Sequence, residues 1–144
     1  MRTGSSSVFR LLPLALATAG CTGLLAGPET SSVTPVPASR DSAFVRARRA
    51  LQGESFTLDL VDSAGGRING TRWPSSSAQL GTSTACHVSV AMRVQGDATR
   101  AQVASTSRWI APGKMSEKAP KVCEQERIQV LERTDLVLVP EPAP

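Results

Sequence analysis

The chain has 144 residues and a mass of 15.1 kDa, with 16 Lys and Arg against 12 Asp and Glu, for a formal charge of +4. That length is one small domain at most and leaves no room for a paired dinucleotide-binding fold or a barrel enzyme. No apolar run approaches the roughly 20 residues of a spanning helix, which excludes a multi-pass membrane protein, and 3% aromatic content with no Tyr argues against a stacking platform for single-stranded nucleic acid or sugar, so no nucleic-acid partner is expected.

Residues 1–10 carry Arg2 and Arg10 and no acid, and residues 11–20 read Leu-Leu-Pro-Leu-Ala-Leu-Ala-Thr-Ala-Gly. A basic start, a short apolar run and small residues ahead of a cut read as a signal peptide over 1–20. Ala19-Gly20-Cys21 resembles the lipobox of bacterial lipoproteins, with Thr18 where that family usually has Leu. The resemblance implies export, cleavage before Cys21 and a thioether-linked diacylglycerol on it. It places the protein in the cell envelope, on the periplasmic face of the outer membrane or at the cell surface. Two or more acyl chains anchor stably, each buried methylene contributing about 0.8 kcal/mol. Ala17-Thr18-Ala19 also fits a cut before Gly20, and that alternative gives a soluble secreted product. Removing residues 1–20 takes away two Arg and no acid, so the charge falls from +4 to +2 and says little about an anionic partner.

The three cysteines make an odd number, which in an exported chain asks for a reason. Lipidation of Cys21 leaves Cys86 and Cys123 to pair. That bridge would stabilise the domain by roughly 3.5–4 kcal/mol on the chain-entropy account.

Residues 21–40 have Gly, Pro, Ser and Thr composition without sustained periodicity. They are expected to be the lipid anchor and a flexible tether reaching roughly 25 Å. A compact domain then runs over 41–139, with a frayed tail at 140–144. Asp41 or Ser42 caps a helix over about 42–52, with Phe44, Ala47 and Leu51 on one face. Arg46, Arg48 and Arg49 form the dense basic cluster, a candidate contact for an anionic surface.

Residues 54–62 alternate, with Phe56, Leu58 and Leu60 on one side, and Arg67–Trp73 returns after Ser63-Ala64-Gly65-Gly66. A four-residue loop pairs Phe56 with Trp73; one more residue turns Ile68 and Gly70 to the core instead. Asn69-Gly70 is a competing turn signal. Residues 74–85 read as a loop. Residues 86–94 are the cleanest strand, with Cys86, Val88, Val90, Met92 and Val94 facing one way. Residues 99–110 return with Ala101, Val103 and Trp109 inward and Ser105 and Ser107 among them. After a loop at 111–120, a helix over about 121–132 is favoured over a strand, followed by a short strand at 136–139. The fold expected is α+β, a small antiparallel sheet of two hairpins with an N-terminal and a C-terminal helix; the alternative is an all-β sandwich. In element order this is loosely similar to small α+β modules of envelope-assembly lipoproteins, which are non-catalytic and bind partners through sheet or helix surfaces.

No catalytic set emerges. His87, the single histidine, lacks the convergent ligands of a zinc site. Ser89 is its neighbour on one strand face, without a nucleophile elbow. Asp59 and Asp62 alternate apart and Glu124 and Glu126 diverge on a helix, so paired-carboxylate chemistry is not indicated. No cofactor or metal is expected. The expectation is a membrane-tethered, non-catalytic binding or assembly module with an envelope protein as partner. The alternative is a secreted enzyme or an inhibitor presenting loop 74–85 or 111–120.

Overall fold

A computed structural model of the chain describes residues 24–73, 86–112 and 119–140. The elements run β1 (Leu24–Ala26), β2 (Thr30–Val36), α1 (Arg40–Gly53), β3 (Phe56–Asp62), β4 (Arg67–Arg72), β5 (His87–Gly96), β6 (Ala101–Pro112) and α2 (Ala119–Leu138). The fold is α+β. One antiparallel sheet has the order β1–β6–β5–β4–β3, and β2 pairs with the other stretch of β6. Both helices lie on the same sheet face. The signal peptide 1–20 and Cys21 lie outside the described residues.

The expected tether is the first correction. Half of 21–40 is two strands: Thr30–Val36 pairs residue for residue with Ser107–Ala101, and Leu24–Ala26 with Pro112–Ile110. The sheet therefore already includes residues from Leu24 on, well ahead of residue 41. Thr, Ser and Val suit a pleated surface as well as they suit a linker, and β6 supplies the partner that decides. Pro35 is tolerated because β2 is an edge strand whose missing N–H breaks no ladder. Gly27 shapes the corner between β1 and β2. Its N–H donates to the Trp109 carbonyl at 2.9 Å, and a Cβ there would stand 2.1 Å from the Trp109 indole nitrogen.

Helix α1 begins earlier than expected. Ser39, rather than Asp41 or Ser42, is the N-cap, its hydroxyl accepting from the Ser42 N–H at 3.2 Å. Ala43, Phe44, Ala47, Ala50 and Leu51 form its buried face, at the 3–4 spacing a helix needs to seat one stripe on a sheet.

The first hairpin combines the two registers that the sequence left open. Asp62 opposes Arg67, which is the four-residue loop. An irregularity between Leu58 and Leu60 then shifts the pairing so that Phe56 meets Arg72, not Trp73, and Ile68 and Gly70 are buried. The bulge at Asp59 inserts one residue and flips the face. Phe56 and Leu58 thus stay inward while Leu60 leaves them for the opposite side. Asn69-Gly70 lies within β4 and makes no turn.

The β5–β6 hairpin matches its alternation: Val88, Val90, Met92 and Val94 are buried, as are Ala101, Val103 and Trp109 opposite. The end of the chain is the last correction. Residues 119–138 are one helix, and the expected strand at 136–139 is mostly its final turn. Cys123, Arg127, Val130, Thr134 and Leu138, all buried, repeat at helical spacing and press against the sheet. That burial outweighs the strand propensity of the β-branched residues near the terminus.

Candidate binding surface

Cys86, just ahead of β5, is bonded to Cys123 in the first turns of α2, with the Cα atoms 5.5 Å apart. This is the expected pairing. Trp109 and Ala111 close around the bridge in a small buried cluster. One turn along α2, Arg127 is 4% exposed. Its Nε donates to Glu124 at 3.0 Å, its Nη2 to the other Glu124 oxygen, and its Nη1 to the Ser107 hydroxyl at 2.9 Å. The Arg127 hydrogen bond, with a smaller share from Trp109, holds the Glu124 carboxyl below the usual carboxylate range. Bidentate pairing plus a third partner is what allows a guanidinium to sit inside a protein. Among the described residues, no buried side-chain polar atom lacks a partner. Between α2 and the sheet, the charged group stands at the bridge end, and Val90, Val103, Val130 and Leu138 belong to the apolar core beyond it.

Arg127 is the residue that sequence reasoning missed. A signal was there: Ser105 and Ser107 faced inward on β6 with nothing assigned to meet them, and a buried hydroxyl needs a partner. Ser105 finds the Ser32 hydroxyl at 2.8 Å and Ser107 finds Arg127.

Among the described residues, no helix lies on the opposite sheet face. Across it, Thr57, Thr71, Ser89 and Arg108 stand in one row by strand register, and Leu60, Asn69, Ala91 and Thr106 in the next. Asp59, at the bulge, accepts the Thr71 hydroxyl at 3.0 Å. At one end Trp73 leans on His87, ring centroids 4.0 Å apart and planes at 56°. His87 and Ser89 share this face, as expected, but no hydrogen bond among the described residues joins them. The depression formed by Glu29, Ser89, Ala91, Thr106 and Arg108 holds about 170 Å³, below the size of a small-molecule pocket. A larger cleft of about 600 Å³ lies by Pro35, Val36 and Pro37 at the β5–β6 turn. It is mostly apolar and Arg100 is its one charged side chain.

The basic cluster is split by the helix it sits on. Arg46 reaches the end of α2, its Nη1 donating to the Leu138 carbonyl at 3.4 Å, where a cation meets the negative end of the helix. Arg48 and Arg49 are exposed. Asp62 is occupied by the Gly65 N–H at 2.9 Å and the Arg67 guanidinium. Asp97 takes the N–H groups of Thr99 and Arg100 and the Thr99 hydroxyl. Both carboxyls are held below the ordinary range by these bonds and serve their turns. Among the described residues, no group of three or more His, Cys, Asp and Glu gathers to hold a metal, and no helix is long and apolar enough to cross a membrane. The loops proposed for an inhibitor, 74–85 and most of 111–120, lie outside the described residues. Ala111 and Pro112 complete β6, and α2 begins at Ala119.

No family model and no curated protein matches the chain. Among solved structures it is similar to Ara h 8.0201, with 11% identity, a TM-score of 0.50, and coverage of 81% of this chain and 99% of that one. A DUF4468 family protein from Bacteroides ovatus matches with 13% identity, a TM-score of 0.46, and coverage of 81% and 89%. The Zhui aromatase/cyclase from Streptomyces sp. R1128 does so with 14% identity, a TM-score of 0.39, and coverage of 76% and 87%. At these identities the likeness to Ara h 8.0201 is one of fold alone: an α+β chain with its helices gathered on one face of an antiparallel sheet.

Proposed function

We propose that this chain is a bacterial envelope lipoprotein, acylated at Cys21, whose folded part is a non-catalytic module that docks an envelope protein on its helix-free sheet face. The observation that carries the binding reading is the asymmetry of the sheet. One face is covered by both helices and packed with apolar and paired side chains, while the other presents rows of Thr, Ser, Asn and Arg with an aromatic at the end. Such a face is broad, shallow and rich in donors and acceptors, which suits a polar macromolecular contact better than a small ligand. Export is supported by Ala19-Gly20-Cys21 and by the buried Cys86–Cys123 bridge, since disulfides persist in oxidising compartments.

Photo-crosslinking amino acids placed at Thr71, Ala91 and Thr106, with Arg48 and Gln129 as helix-side controls, test the docking face in the native host. Adducts to a discrete protein from the three sheet positions are expected; adducts from the helix side alone would overturn the assignment. The intact mass of the mature protein tests the anchor. A chain starting at Cys21 with diacylglycerol is expected, and a lipid-free chain starting at Gly20 would sink the lipoprotein reading.

A further inference from the structure

The correction to the tether changes where the domain would sit. Leu24 already belongs to β1, so only residues 22 and 23 separate Cys21 from the sheet. Three residues of fully extended chain reach about 11 Å. Acyl chains on Cys21 would therefore hold one particular end of the molecule at the bilayer, rather than let the domain drift above it.

That end is defined by register. Leu24, Leu25 and Ala26 pair with Pro112, Ala111 and Ile110. Ile110 in turn opposes His87, and His87 carries the Trp73 ring. The first turns of α2 are pinned to the same end by the Cys86–Cys123 bridge. From β1 to β4 this strip crosses three strand spacings, about 14 Å.

Its apolar side chains are turned out to solvent. Trp73 is 58% exposed, Val122 45% and Leu25 42%, and Ile110 is half-buried; Leu25, paired with the buried Ala111, lies with Val122 on the helix side of this end, and Ile110 and Trp73, beside His87, lie on the other. Cations flank the strip: Lys121 beside Val122, and Arg108 one row in from Ile110, both exposed. An exposed Trp with aliphatic neighbours and nearby Lys and Arg is the side-chain set of a membrane–water interface, where the indole sits at headgroup depth and cations meet phosphates.

We infer that the strip of Leu25, Trp73, Ile110 and Val122 is a membrane-contact surface that seats this end of the sheet in the headgroup layer. The inference rests on the anchor proposed above. It also orients the docking face: the strands run away from the bilayer, and the Thr and Ser rows stand edge-on to it, open toward a neighbour in the same membrane.

The test uses the mature acylated protein in vesicles of phosphatidylethanolamine and phosphatidylglycerol, some carrying brominated acyl chains. Trp73 emission is read as the difference between the parent and Trp73→Phe, because Trp109 is buried and common to both. A blue shift, quenching by brominated lipid and loss of iodide accessibility are expected for Trp73. Leu25→Ser with Val122→Ser should weaken all three while the near-ultraviolet circular dichroism of the fold persists. An acylated, vesicle-bound protein whose Trp73 stays iodide-accessible and unquenched overturns the inference and leaves the anchor standing. If the mass shows no acylation, the anchor reading falls. The strip is then judged on the unanchored chain, where failure of the same vesicles to shift Trp73 emission rejects it.

Discussion

Asp135 shows how one side chain can work against the fold around it. It stands on α2 beside the β2 edge, accepting the Thr34 hydroxyl at 3.2 Å. Burial pushes its pKa above the ordinary carboxylate value, opposed only by the Thr34 bond. A carboxyl whose pKa is raised in the folded state contributes stability that is fully present below its unfolded value of 3.8 and is lost as pH rises through the folded value. Asp135→Asn should therefore melt at a higher temperature than the parent at neutral pH, and the gap should close below 3.8. The comparison must be made as a difference between variants. Asp62 and Asp97 have lowered values, so the parent also loses stability as pH falls from 3.8 through those depressed values. Paired melts of the two proteins across the acid range check both signs, and a gap that widens toward low pH would contradict the burial argument.

Among the elements, α2 depends on the Arg127–Glu124–Ser107 group more than its length suggests. Removing one partner of a buried ion pair leaves the other uncompensated. Glu124 keeps 34% of its side chain in solvent, so Arg127→Met should cost about 3 kcal/mol, the low end of the buried-pair range. Adding Glu124→Gln should restore much of it, because an amide can still bond and no longer carries charge. Urea midpoints of the single and double variants measure the coupling. The elements also differ in how far they could be read ahead. β5 and the buried stripe of α1 were legible because their own periodicity states which face is inward. β2 was not, since Thr-Ser-Ser-Val-Thr-Pro-Val has the same composition as a linker and only the flank of β6 makes it a strand. The first hairpin resisted for another reason: a single bulge residue reverses the face, and alternation counts carry no mark of it. Of the candidate surface, the His87 and Ser89 side of β5 was foreseen, whereas the rows across it needed the strand order, which is non-local.

At the scale of the whole molecule, the bridge ties the last helix to the centre of the sheet across 37 residues. Replacing Cys86 and Cys123 together by Ala should lower unfolding free energy by about 4 kcal/mol, as loop-closure entropy predicts. That is a large fraction of the 5–15 kcal/mol typical of a small domain. Chemical unfolding of the variant against the oxidised parent tests it, and an unchanged midpoint would place the bridge among contacts that α2 makes anyway.

The pairing of β2 with β6 also sets an order of events. Ser32 meets Ser105 across 73 residues of chain, and β1 spans a longer stretch still. A chain made from its N-terminus holds β1 and β2 without their partner until nearly all the sheet has been synthesised. Contacts so distant in sequence form late, since loop closure must precede any reward. The first segment of the domain to be made is thus among the last to be locked, and its backbone donors and acceptors wait for β6 through most of the chain's synthesis.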